Sequence, residues 1–99
     1  MFVPNGENTK KEVVLFEFFK SGSWVIAYVL NKHKDTLVLF VPTSPNPTSG
    51  YTIIVSKEAV VPTTLSVEEA STFIVSMGAD YVKKEEISQK IKEHNAKNG

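Results

Sequence analysis

The sequence predicts an α+β fold: a four- to five-stranded, mostly antiparallel, twisted sheet, open or curled toward a barrel, with one well-capped helix and a polar C-terminal helix. Three observations support this class. Segments rich in β-branched and aromatic residues follow one another between Val13 and Val55. The turns between the first segments are too short for crossover helices, which favours antiparallel neighbours. Helical spacing of apolar residues begins only after Ser66.

Five segments carry the strand signal, and two of them are predicted to be central. The segments are Val13–Phe19, Trp24–Leu30, Thr36–Val41, Tyr51–Val55 and the short Ala59–Val61, which Pro62 is expected to stop. Trp24–Leu30 and Thr36–Val41 are apolar on both faces, as in strands that are covered on both sides. Glu17 lies among apolar residues of the first segment, and we expect it at a solvated edge.

Two helices are predicted after the strands. Ser66 followed by Glu69 is a capping-box pattern, and Gly78 suits a left-handed helix end, so a helix is expected over Val67–Met77. Asp80–Asn95 carries only a thin apolar stripe. We expect it to form a polar helix that is either solvated or docked on a partner.

The length of 99 residues predicts one domain. Residues 1–10 are expected to form a loose leader, residues 11–79 the domain, and residues 80–99 a polar C-terminal helix and tail. The longest apolar run, Trp24–Leu30, has seven residues, whereas a membrane span needs about 20. The N-terminus also lacks the pattern of a signal peptide. The chain by itself is therefore expected to be soluble.

Charge balance and residue types argue against several classes of function. Eleven basic residues, all of them lysine, balance eleven acidic ones, so we expect no nucleic-acid partner. The chain has no cysteine, which removes disulfides and thiolate metal sites. His33 and His94 lack partners at metal-ligand spacing and are expected at the surface, so neither a metal nor another cofactor is predicted. The sequence contains no familiar catalytic motif, which leans against an enzyme.

The proline-rich segment Pro42–Gly50 is the distinctive polar feature and the candidate binding site. Three prolines in nine residues predict a stiff loop outside the sheet. The candidate site residues are Pro42, Thr43, Asn46, Pro47, Thr48, Ser49 and Gly50. One interpretation is a recognition surface built from polar groups on a rigid frame. The other is a structural connection in which Asn46 and Thr48 bind nearby backbone and Gly50 supplies special dihedral angles.

Phe40–Gly50 reads FVPTSPNPTSG. This string resembles the signature of a family catalogued as domain of unknown function number 502, which includes the plant Continuous Vascular Ring (COV) membrane proteins and bacterial relatives. Glu12–Tyr28 and Tyr51–Gly78 are similar to the flanking parts of that family, so the resemblance covers about residues 11–79. It implies a domain at the cytoplasmic face of a membrane, anchored by family helices that this sequence lacks. We expect either an excised domain or a protein without its anchor.

Two functional hypotheses follow. The first is an interaction or assembly domain that uses an exposed sheet edge or the proline-rich loop to bind a protein partner or a second copy. The alternative is a small-molecule or lipid-headgroup site, with or without catalysis, where that loop meets the helix N-terminus at Ser66.

Overall fold

The computed structural model of the protein describes residues 11–98, apart from the side chains of Phe19 and Asn98. The predicted leader at residues 1–10 lies outside the described residues. The strands are β1 (Glu12–Glu17), β2 (Trp24–His33), β3 (Thr36–Pro42), β4 (Gly50–Ser56) and β5 (Val60–Pro62), and the helices are α1 (Val67–Val75) and α2 (Lys84–Asn98). Short 3-10 turns occupy Phe18–Lys20 and Lys57–Ala59. The predicted α+β class is confirmed.

The five strands form one antiparallel sheet in the order β4-β3-β2-β1-β5. β1 to β4 form a meander because short turns can join only antiparallel neighbours. β5 then returns to the far side of β1, where Val60 pairs with Phe16 and Pro62 with Val14. β2 and β3 are interior strands, as their two apolar faces predicted. Among the strands that the structure describes, β4 and β5 are the two edges of the sheet.

Element ends differ from the prediction where polar residues continue a strand or a helix ends early. β2 runs three residues past Leu30 because the register with β3 shifts between Val29 and Asn31 and pairing then resumes. α1 ends at Val75 rather than Met77. Met77 and Gly78 both have positive φ angles, 56° and 87°, so the chain leaves the helix through two left-handed residues rather than one.

The two faces of the sheet are buried in different ways. One face packs against the helical layer through the cluster Val13, Leu15, Ile26, Tyr28, Leu65, Ala70 and Ile87. The other face holds Val14, Ala27, Leu37, Leu39 and Val41, and partly buried residues of β4 and β5 pack on them. Leu39 is 0% exposed although this second cluster contains no residue of α1 or α2. Residues of both edge strands pack on this cluster: Ile53 and Val55 of β4 and Val60 of β5.

The sheet stays open among the described residues. The three-residue turn Lys57–Ala59 connects β4 to β5, yet these two strands remain the two ends of the strand order. Neither helix in the described part of the chain combines the length and the apolar character needed to cross a bilayer.

Candidate interaction site at the β4 edge

The proline-rich loop joins β3 to β4 and is held by its own polar groups. The Asn46 side-chain oxygen accepts hydrogen bonds from Thr48 N–H (3.0 Å) and from the Thr48 hydroxyl (2.6 Å). Ser49 N–H donates to the Asn46 carbonyl (3.1 Å), and the Thr43 hydroxyl donates to the Ser49 carbonyl (3.1 Å). These are the local side-chain bonds that stabilise turns. They account for Asn46, Thr48 and Thr43 as structural residues.

The remaining predicted site residues lie in the same loop and at the strand ends beside it. Pro42 is buried as the last residue of β3 and pairs with Gly50. A Cβ atom at Gly50 would lie 2.1 Å from the Val41 carbonyl oxygen, so only glycine fits there. Pro47 is half-buried, and Ser49 is exposed. The structure thus brings the predicted residues together in this loop and at the two strand ends that flank it.

β4 itself is the most unusual surface of the sheet. Its seven residues carry no charge, and within residues 11–98 only β3 pairs with it. Ile54 is 72% exposed and Tyr51 44% exposed. Natural edge strands commonly carry lysine, proline or a bulge that discourages pairing with another chain. β4 has none of these within Gly50–Ser56, so it presents an open template for an added strand.

Two hydrogen bonds at the ends of the β3–β4 ladder show which residues of β4 bind β3. Thr43 N–H donates to the Ser49 carbonyl (2.9 Å), and Lys57 N–H donates to the Asp35 carbonyl (2.9 Å). Both pairs continue the β3–β4 register. Bonded and non-bonded pairs alternate along an antiparallel ladder. The odd-numbered residues of β4 therefore direct their backbone N–H and C=O groups toward β3.

The even-numbered residues of β4 consequently direct their backbone groups away from the sheet. Thr52 and Ile54 are the two such residues in the middle of the strand. Their side chains are exposed. In the described part of the chain no strand pairs with these outward groups. An added strand would find donors and acceptors there, together with the exposed apolar side chain of Ile54.

A second polar cluster lies where the end of α2 meets the connection between β1 and β2. A cleft of about 750 Å³ is lined by Glu17, Lys20, Ser56, Glu58, Ala59, His94 and Asn95. One Glu17 carboxylate oxygen accepts from Gly22 N–H (3.0 Å), and the other lies 3.7 Å from His94 Nε2. The His94 ring packs edge-on against Trp24, with ring centroids 5.0 Å apart.

The predictions for Glu17 and His94 were wrong in the same way. Glu17 was expected at a solvated edge and His94 at the surface, yet only 20% and 25% of their side chains are exposed. No sequence signal links them, because one lies in β1 and the other in α2. Both Glu17 oxygens face groups of the chain itself, and the Ser56 hydroxyl donates to Glu58 (2.9 Å). We interpret the cluster as the anchor of the α2 end.

The N-terminus of α1, the other half of the alternative site, is occupied by its own cap. The Ser66 hydroxyl accepts from Glu69 N–H (3.0 Å), and the Glu69 carboxylate accepts from Ser66 N–H (2.9 Å). The predicted capping box is confirmed. The hydrogen bond from Ser66 N–H is the main cause that lowers the pKa of Glu69, with the Lys83 ammonium as a further cause.

The proline-rich loop and Ser66 do not belong to neighbouring strands. The loop follows β3 and Ser66 follows β5, and these strands run in opposite directions with β2 and β1 between them. The region around Ser66 is bound to α2 instead. Thr64 donates its N–H (2.8 Å) and its hydroxyl (2.7 Å) to the Glu86 carboxylate. This geometry gives the alternative small-molecule site no support.

Glu86 is the charged centre of this contact between α2 and the segment before α1. Partial burial raises the pKa of its carboxyl, but hydrogen bonds from Thr64 and the positive charges of Lys83 and Lys90 outweigh that effect, and the net pKa is lowered. Burial raises the pKa of the Tyr28 hydroxyl in the core. Among the described residues, no three His, Asp or Glu side chains are placed to hold a metal ion.

No family model, curated protein or solved structure matches the chain. The resemblance to the COV-like family therefore stays a prediction.

Proposed function

We propose that this chain is an interaction and assembly domain, and that the free edge of β4 is the surface to which a partner adds a strand. One observation carries the proposal: β4 is a seven-residue, uncharged edge strand with Ile54 72% exposed. Backbone hydrogen bonds would supply affinity, and the exposed side chains of the strand would supply selectivity. The adjoining proline-rich loop gives this edge a rigid end, because its polar groups bind one another.

The proposal also includes where in the cell the domain lies. The resemblance of Phe40–Gly50 to the COV-like signature supports a position at the cytoplasmic face of a membrane, with the tether supplied by helices of the family pattern. In such a setting, tethering raises the local concentration of the domain, so a weak edge contact suffices for assembly.

Site-specific photo-crosslinking in producing cells tests the function even while the partner is unidentified. A benzophenone amino acid replaces Thr52, whose backbone groups face outward, or Thr72, an exposed threonine of α1 that serves as the matched control. We expect a discrete covalent adduct from position 52 and none from position 72.

The specificity of the adduct is tested with Ile54→Pro. Proline removes an outward N–H that β3 does not use, so the fold should persist while strand addition fails. The adduct at position 52 should disappear in this background. Absence of any adduct at position 52 in the natural background, or its persistence in the Ile54→Pro variant, would contradict the proposed function.

A further inference from the structure

We infer that the strand added to β4 is β4 of a second copy, paired antiparallel about a twofold axis at Ile53. The inference rests on the proposed function and names its partner. A twofold pairing closes on itself, because each copy uses the longer edge of its sheet and leaves the short β5 edges at the ends of the joint sheet. The product is a dimer rather than a fibre.

The charge pattern of the edge permits a copy of itself as partner. No residue between Gly50 and Ser56 carries a charge, so two copies bring no like charges together along the strand. The chain as a whole has a net charge of zero, with eleven basic and eleven acidic residues. Long-range repulsion between copies is therefore small.

The register follows from symmetry and from full overlap of the strand. A twofold axis normal to the sheet places one residue opposite its own copy, and overlap of all seven residues puts that residue at Ile53, the middle of Gly50–Ser56. Thr52 of one copy then lies opposite Ile54 of the other. Both have outward backbone groups, so they form the hydrogen-bonded pairs, and Ile53 faces itself in a non-bonded pair.

The same register improves the environment of the exposed side chains. Tyr51 of one copy lies opposite Val55 of the other, which is an aromatic and β-branched pair of the favourable kind. Ile54, 72% exposed in the single chain, gains Thr52 of the other copy as a neighbour on its face. Beyond the strand, the proline-rich loop of each copy lies next to the Lys57–Ala59 turn of the other.

The expected strength is low. One pair of seven-residue strands buries less area than the roughly 1,200 Å² below which complexes are typically weak and transient. Light scattering should show the mean mass rising from monomer toward dimer between about 10 µM and about 1 mM protein. It should not rise beyond the dimer.

Single cysteines test the register sharply, because the natural chain contains none. In a non-bonded antiparallel pair the Cα atoms are about 4.5 Å apart, within the range of about 4.4–6.8 Å that a disulfide spans. Ile53→Cys should therefore form a disulfide-linked dimer under mild oxidation. Thr72→Cys on α1 is the collision control and should crosslink at least about tenfold less.

A second pair of variants covers the case in which Ile53→Cys fails to fold, since Ile53 is partly buried. Thr52→Cys and Ile54→Cys lie at exposed positions. A mixture of the two should crosslink severalfold more than either variant alone. Equal crosslinking in the mixture and in each variant alone would overturn the register.

Photo-crosslinking and light scattering together distinguish a failure of this inference from a failure of the proposed function. A photo-adduct at position 52 whose mass corresponds to a different protein, with a monomer at about 1 mM, would leave strand addition in place and overturn the second copy as partner. A mass that grows beyond the dimer would overturn the twofold closure. Absence of both adduct and mass increase would overturn both proposals.

Discussion

The two edges of this sheet are built in opposite ways. β5 has three residues and ends at Pro62, and both features discourage pairing with another chain. The segment after it is fastened to the body, because the Thr63 hydroxyl donates to the Val13 carbonyl (2.7 Å). β4 has seven uncharged residues and no such protection along its length. The contrast shows that an edge open to strand addition is a property of β4 and is not shared by β5, the other edge of the sheet.

The largest expected effect distinguishes the two sides of β4 itself. Ile53→Pro removes an N–H that binds β3, whereas Ile54→Pro removes one that points outward. We expect Ile53→Pro to lower the free energy of unfolding by at least about 2 kcal/mol more than Ile54→Pro, because a ladder bond is lost and its acceptor is left unpaired. Urea unfolding followed by the fluorescence of Trp24, the only tryptophan, measures both. Equal urea midpoints for the two variants would show that Ile53, rather than Ile54, has been wrongly assigned as the residue whose N–H binds β3.

Thr63→Val tests how firmly the β5 side is held. The Thr63 hydroxyl also accepts from Leu65 N–H (3.1 Å), and both of its bonds are partly buried. Their loss should lower the free energy of unfolding by about 1–2 kcal/mol. Thr43→Val in the proline-rich loop is the matched control: its hydroxyl makes one exposed bond, and we expect a loss of about 0.5 kcal/mol or less. A similar loss of unfolding free energy in Thr63→Val and Thr43→Val would contradict the expectation that the β5 side is held more firmly than the loop beside β4.

Glu86→Gln tests the contact that ties α2 to the β5 side, with an expected loss of about 1 kcal/mol at pH 7. The pKa of Glu86 is lower in the folded chain than its ordinary value of 4.5. Its charge therefore stabilises the fold above that value, and the contribution is lost as the pH falls through the folded-state pKa. The difference in unfolding free energy between the natural chain and this variant should therefore shrink as the pH falls from 4.5 through the lowered pKa of Glu86 in the folded chain. A difference that stays constant over the whole acid range in which the chain remains folded would contradict the charged contact.

Ile54→Lys should change the free energy of unfolding least of these variants, yet it should abolish association between copies. The side chain is exposed, so the free energy of unfolding should change by less than about 0.5 kcal/mol. A lysine on the edge is a device that natural sheets use against strand addition. Light scattering should show a monomer at all concentrations. Val75→Lys on α1, also exposed, is the control and should leave association unchanged.

Local features of this fold were predictable, and those that depend on distant residues were not. The strand segments and the capping box follow from residue types within a few positions, so patterns alone locate them. The return of β5 to β1 depends on a pairing between Phe16 and Val60, which no local pattern specifies. Without that pairing, the sequence cannot show that β4 is an edge. The proline-rich loop was predicted from the sequence. The free edge of β4 beside it, and the contact of Glu17 with His94, could be found only in the structure.

The pairing of β1 with β5 has a consequence for how the chain folds. The three other ladders join consecutive strands and close short loops. The β1–β5 ladder instead pairs Val14 with Pro62, which lies far along the chain. Closing so long a loop carries an entropic penalty before its contacts form, which makes this step the expected slow one. Until β5 arrives, β1 is also an open edge. The newly made chain therefore passes through a period with two unprotected edges, and aggregation competes with folding most strongly during that period.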